Sequence, residues 1–390
     1  MQRTFHRDRF TWLAYLSLAF YGYFLNVLGP ITPFLKDELQ LSYTVSSFHF
    51  TAFAIGILLI GVAGHLIIQH LGRQRSLWLG LFGMSLSALL LLAGRNPVIT
   101  IGASFLMGWI GSLILAIVPA ALSDQHGGMK AVALSEANMI SSLLATAAPL
   151  LVGWFAHSVG NWRWALGVMV GIPIFMFLGL GRNSSPAAGD HNVEIHPGRR
   201  SLPTSFWVYW IAIVLGVSVE FCMIFWSADY VEQVLGLTKA NAAQSVSLFL
   251  GAMILGRLLG SRLVQRFSTG AVVNVSIVIA AIGFLLFWRA ENDWLGLSGL
   301  FLTGLGVANF YPLLLALAIS ASDGNTVQAG ARATLASGTA ILALPLILGG
   351  FADAVGIRLA FGVILLLLVS IFLISRIAAR VPVTQRLVDQ

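Results

Sequence analysis

Twelve runs of predominantly apolar residues, each of about 20 residues and none alternating polar with apolar, limit what this chain can fold into. Such a run, wound as a helix, spans a hydrocarbon layer about 30 Å thick. Within lipid every backbone N–H and C=O must find a partner inside the structure, which leaves helices or a closed barrel. The missing alternation leaves helices. Composition agrees: 58% of residues are hydrophobic and 9% charged, against about 25% charged in soluble domains. The opening run follows Arg3, Arg7 and Arg9, exceeds the core of a signal peptide and lacks a small-residue cleavage site, so it reads as a retained first helix. The single cysteine, Cys222, lies inside an apolar run and excludes a disulfide framework.

The predicted spans cover roughly 10–35, 45–70, 76–94, 98–122, 130–156 and 163–181, then 206–231, 241–265, 271–289, 294–320, 328–352 and 357–379. Between the sixes, Arg182 to Pro203 is polar and rich in turn formers, and it reads as a linker between bundles 1–181 and 204–390. An even number of spans puts both termini on one face. Of the 22 Lys and Arg residues, 16 fall at or near that face and 6 at the other. The positive-inside rule then makes termini and linker cytoplasmic, in an integral multi-pass plasma (inner) membrane protein. This distribution accounts for the net charge of +7 without nucleic acid.

The two halves repeat. Pro149 to Gly160 (PLLVGWFAHSVG) matches Pro345 to Gly356 (PLILGGFADAVG), and Gly64 to Gly72 matches Gly260 to Ser268, both at an offset of 196 residues. Phe34 to Ser42 matches Tyr230 to Thr238 at the same offset. One constant offset near half the chain length means duplication of a large unit. The chemistry is not duplicated: Phe24 stands opposite Glu220, and Glu136 opposite Arg332.

Twelve helices in two parallel six-helix repeats resemble the major facilitator superfamily of secondary transporters. The tail of its loop between spans 2 and 3 is matched by Gly72, Arg73, Gln74 and Arg75, while Gln69 and His70 replace the usual Asp-Arg and the leading glycine is shifted to Gly64. Gly153 after Pro149, and Gly349 with Gly350 after Pro345, are similar to the glycine and proline pattern of the family's spans 5 and 11. Gly216 to Tyr230 (GVSVEFCMIFWSADY), followed by Gly256-Arg257-Leu258, resembles the second half of the fucose permease group of sugar and proton symporters. That group's acids in spans 1 and 4 are replaced here by Gly29 and Ile114. The resemblance implies an all-α membrane protein with two pseudo-symmetric six-helix bundles around one central site.

Ionisable residues deep in a span are costly and point to function. Glu220 lies nine residues before Asp229, roughly 13 Å below the outer surface at 1.5 Å per residue. Desolvation there penalises the charged form, which lets a carboxyl exchange a proton as access alternates. The competing reading is a carboxyl hydrogen-bonded for packing or neutralised by a buried partner. Glu136 and Arg257 lie at similar depths, and the resemblance implies a gating pair between them across the bundles, with Arg332 facing the second span near His65. Pairing of the same residues within one bundle would make them merely structural. Asp229, at the outer end of the seventh span, is a further gating candidate. Substrate-lining candidates on spans 1, 4, 7 and 10 are Tyr21, Tyr23 and Asn26; Trp109 and Ser112; Glu220 and Trp226; and Asn309 and Tyr311. Aromatic rings with amide groups suit a sugar, although aromatics near span ends also form the interfacial belt. His49 is read as a satisfied polar residue.

There is no nucleotide-binding Gly-rich loop, no paired His and Glu at metal spacing and no sizeable soluble domain, so neither an enzyme nor an ATP-driven pump is expected. The expectation is a cofactor-free monomer in the lipid bilayer, a proton-coupled symporter of a small polar solute such as a sugar. Efflux of amphipathic compounds and a non-transporting receptor are the alternatives.

Overall fold

The computed structural model describes residues 5–181, 202–323 and 325–378, so most of the linker expected at 182–203 lies outside the described residues. Among the described residues the chain is helical throughout. The first half runs α1 (Arg9–Leu39), α2 (Tyr43–Leu71), α3 (Arg73–Ala93), α4 (Pro97–Gly111), α5 (Leu113–His126), α6 (Lys130–Ser158), α7 (Trp164–Val170) and α8 (Ile172–Leu180). The second runs α9 (Thr204–Leu235), α10 (Lys239–Leu263), α11 (Thr269–Arg289), α12 (Asp293–Val307), α13 (Phe310–Ser320), α14 (Thr326–Val355), α15 (Ile357–Ala360) and α16 (Gly362–Ala378).

Ten helical stretches are long and apolar enough to cross a membrane among the described residues. One of them, Pro97–Ser158, is 62 residues long and reverses at Gly127, whose φ of 49° only glycine adopts readily. It therefore makes two crossings. With the shorter apolar stretch Trp164–Leu180 the crossings number twelve. In the first unit, the face that carries the start of α1 is called proximal and the opposite face distal.

Local chemistry repeats at the 196-residue offset. Ser42 caps α2 by accepting from the Val45 N–H, and Thr238 caps α10 by accepting from Asn241. Asn96 and Asn292 do the same for α4 and α12, at 3.0 and 2.9 Å. Gly160 and Gly356 turn the chain with φ of 72° and 82°. The fourth crossing breaks at Ser112 and the tenth at Ala308 and Asn309. At the second break Pro312 lacks the N–H that would serve the Ala308 carbonyl, so the chain restarts a helix with proline in its first turn.

Packing divides the chain into two compact units, Met1–Glu194 with Phe225–Ser247, and Ile195–Ile224 with Leu248–Gln390. The distal end of α9 and the start of α10 pack with the first half. Phe225 stacks on Phe50 with ring centroids 4.1 Å apart and planes 6° apart, and Trp226 meets the same ring edge-on at 5.5 Å. Ser247 donates to the Thr146 carbonyl at 2.7 Å. Within the first unit Gly108 lies so close to Phe53 that a β carbon would strike the Phe53 backbone; within the second, Gly304 meets Phe249 in the same way. These are repeat-equivalent contacts. In lipid, where helices gain nothing from hiding apolar surface, such close backbone approach supplies the dispersion that holds them. Leu86, Val98, Phe175, Leu178, Val275 and Leu366 remain exposed for lipid.

Candidate functional site

Within the second unit, the middle of α9 brings Glu220 toward α10. The nearest approach, Arg257 Nη2 to Glu220 Oε1, is 3.6 Å. That separation makes an ion pair but exceeds a hydrogen bond. The Glu220 side chain is 14% exposed and that of Arg257 44%. A guanidinium this deep in a span faces water or protein rather than hydrocarbon.

Two neighbours complete the arrangement. Asn309, at the break between α12 and α13, donates its amide N–H to the carbonyl of Gly256 at 3.1 Å, and Gly256 immediately precedes Arg257. Any side chain at Gly260, one turn along α10, would strike the Asn309 amide. Tyr311, two residues beyond Asn309, is hydrogen-bonded with Ser337 of α14 and lies within electrostatic reach of Glu220. Thus one helix break supplies both the residue that fixes Arg257 and a phenol beside its partner.

Other sequence-predicted residues are engaged elsewhere. The Tyr23 hydroxyl donates to the Ala165 carbonyl at 2.7 Å, and the Asn26 amide to the Gly22 carbonyl at 2.8 Å. Tyr21 meets Ser112 at 3.4 Å between hydroxyl oxygens. Trp226 is buried against Phe50 and Tyr43. Trp109 is exposed beside Phe105. His49 is buried, with one ring nitrogen against the Ser46 carbonyl and the other on the Thr100 hydroxyl.

Glu136, read in the sequence as a gating residue, takes its partners within the first unit. Glu136 is held by both ends of the Arg7 guanidinium, at 2.6 and 2.8 Å, and by the Tyr15 hydroxyl at 3.1 Å. The physical reason is proximity: α1 packs along α6, and Arg7 lies on the segment that enters α1. Asp8 caps that helix through Thr11, which also contacts His126, and receives the Gln125 amide. Arg332 is exposed, and its carbonyl accepts from the Trp210 indole at 2.8 Å. Arg73, after the second span, pairs with Asp124 at 2.5 Å, so a charge contact exists at this loop despite its altered motif.

Asp229 contributes to a cluster at the distal face of the first unit. Lys36 reaches it at 2.5 Å, and Lys239 pairs with Asp37. Glu38 receives the Arg163 guanidinium at 2.5 Å and the Trp162 indole at 2.7 Å. Lys36, Arg7, Tyr43 and Ser337 were missed in the sequence; for Lys36 the available signal was its level in the first span, matching that of Asp229 in the seventh.

A sequence profile of the Major Facilitator Superfamily matches residues 14–270, more than half of the chain. An uncharacterized MFS-type transporter of Yersinia pestis is 25% identical over 385 residues, 93% of this chain and 94% of its own length. The glucose/mannose transporter GlcP of Bacillus subtilis (strain 168) is 23% identical over 326 residues, covering 76% of this chain and 78% of that one. A solved bacterial homolog of the human lysosomal transporter Spinster, inward-facing and occupied, superposes with a TM-score of 0.74 over 96% of this chain and 97% of its own. At 14% identity that likeness carries the fold alone.

Proposed function

The chain belongs to the major facilitator superfamily and is a transporter, not an enzyme; from that premise we propose that it carries a small polar solute such as a sugar together with a proton, by alternating access. Glu220 is the residue that takes up and releases the proton, and Arg257 is its counter-ion. The observation that carries this reading is their 3.6 Å approach in the apolar α9 and α10 helices, with the Arg257 side chain 44% exposed.

The pair is close enough to stabilise an ionised Glu220, yet no short hydrogen bond locks it. A solute hydroxyl or carbonyl that draws the guanidinium away leaves a buried carboxylate uncompensated, which costs several kcal/mol unless it is protonated. Solute binding and proton binding then favour one another, which is the coupling a symporter requires. Tyr311 and Asn309 offer the phenol and amide that a polyol would engage. The similarity to a glucose/mannose transporter supports the sugar class. The asymmetry of basic residues supports an inner-membrane protein with both termini in the cytoplasm.

Purified protein in proteoliposomes, screened for sugar uptake with and without an imposed pH gradient beside Glu220→Gln, tests this. Wild type should accumulate solute only with the gradient, and the variant should equilibrate it without accumulation. Accumulation by Glu220→Gln with normal pH dependence would end the proposal.

A further inference from the structure

The α9 helix carries two more carboxyls, Asp229 and Glu232, one turn apart at its distal end. Lys36 of α1 meets Asp229 Oδ1 at 2.5 Å. Tyr43 of α2 hydrogen-bonds to the same carboxylate, and its ring centroid lies 4.1 Å from the Lys36 ammonium. Lys239 of α10 stands 3.9 Å from Glu232 Oε1 and pairs with Asp37 of α1. Two oxygens are left over: Asp229 Oδ2 and Glu232 Oε2 are buried with no hydrogen-bond partner.

The charges do not balance. Lys239 and Asp37 cancel at the rim, where Asp37 is 52% exposed. What remains is one ammonium, 11% exposed, against two carboxylates that are 0% and 14% exposed. A buried anion without a counter-charge is costly, and so is a buried acceptor without a donor. One proton neutralises the excess charge, and a neutral carboxyl costs far less to bury than an unpaired ion.

We propose that Asp229 and Glu232 form a second protonation site, separate from Glu220, which holds one proton while the distal ends of α9 and α10 are packed against α1 and α2. The proton comes from the aqueous phase on the distal face, and the cluster passes from a net charge of −1 to zero. When these helix ends separate, water solvates both carboxylates and the proton returns to the same side. Closure of this face is therefore linked to proton uptake, and acid on the distal side favours the packed arrangement. The carboxyl of Glu38, turned to Arg163 and Trp162, takes no part.

The test is a pH titration of the full-length reconstituted protein by infrared difference spectroscopy, beside hydrogen exchange of 29–47 and 225–247 corrected for intrinsic rates. In wild type a carboxyl C=O band should titrate, and exchange in both segments should slow with acidification by up to about tenfold per pH unit, the slope for one linked proton. Glu232→Gln should remove the exchange slope and the part of the band that Glu220→Gln retains, while keeping the Lys36–Asp229 pair; Asp229→Asn should do the same where it folds. Glu220→Gln should retain both. The proposal falls if Glu232→Gln leaves the band and the exchange slope unchanged, or if Glu220→Gln alone abolishes them. Failure of the Glu220 coupling in uptake assays would leave this outcome unaffected.

Discussion

Asn309 donates a hydrogen bond to the carbonyl of Gly256, and so a residue at a helix break fixes the backbone on which Arg257 is carried. A carbonyl in the middle of a membrane helix already serves its own helix, so this extra donor ties α10 to the break instead of completing a ladder. Asn309→Ala removes the donor and opens space beside Gly260. Loss of one such bond is worth about 1 kcal/mol, enough to let Arg257 drift without unfolding the unit. The expected outcome is an inserted, thermally competent protein with about a fivefold higher KM for solute, on the scale of RT, and a shifted pH profile of uptake. Unchanged KM and pH profile would assign Asn309 to packing alone.

The repeat-equivalent glycines make a paired prediction. Gly108→Ala forces a methyl group into the backbone of Phe53, and Gly304→Ala does the same at Phe249. Overpacking of this kind costs about 1–3 kcal/mol. Both variants should lower Tm in a thermal-shift assay of the detergent-solubilised protein by similar amounts. Gly102→Ala, where no atom lies within 4 Å of the added carbon, should leave Tm unchanged or raise it slightly.

Asp8 supplies a pH prediction outside the membrane. Partial burial raises its carboxyl affinity for a proton, but hydrogen bonds from Thr11 and Gln125 and the charge of His126 outweigh it, and the group sits below the ordinary 3.8. A depressed carboxyl contributes stability that is full above its unfolded value and is lost as pH falls through the folded one. Exchange at the first turn of α1 should therefore accelerate, relative to intrinsic rates, as pH drops below about 4. Asp8→Asn keeps an N-cap acceptor and cannot titrate, so its exchange should lack this acceleration.

The architecture was legible because it depends on periodic, local signals. Run length gave the crossings, and the caps at Ser42 and Thr238 or Asn96 and Asn292 recur at the offset visible in the residues themselves. Glu220 stood out because a carboxyl in mid-span has few reasons to be there. Its partner was also within reach of arithmetic. Glu220 lies about 13 Å from the distal surface and Arg257 about 13 Å from the proximal one, leaving roughly 4 Å between them in a core about 30 Å thick. Depth alone fixes no azimuth, and Glu136 satisfied the same depth test for Arg257. The partner that Glu136 has in the first unit, Arg7, lies ahead of α1, where no depth argument points. The placement of Phe225–Ser247 with the first half was hidden for a related reason, since it depends on a ring stack and on ion pairs between residues about 180 to 200 apart, which no local pattern encodes.

The mid-span pair itself gives the sharpest prediction. Arg257→Gln leaves Glu220 buried without its counter-ion, and breaking such a pair costs about 3–5 kcal/mol unless the carboxyl takes a proton. Glu220→Gln leaves a guanidinium that is already 44% exposed, so its cost should be smaller. The double variant Glu220→Gln/Arg257→Gln removes both charges and should recover thermal stability relative to Arg257→Gln alone. A structural pair would then leave transport largely restored along with the fold. A coupling pair would not: the double variant should be stable, bind solute weakly and exchange it without response to a pH gradient. Thermal shift and counterflow measured on the four proteins separate the outcomes, because stability and gradient-driven accumulation move together in the first case and apart in the second.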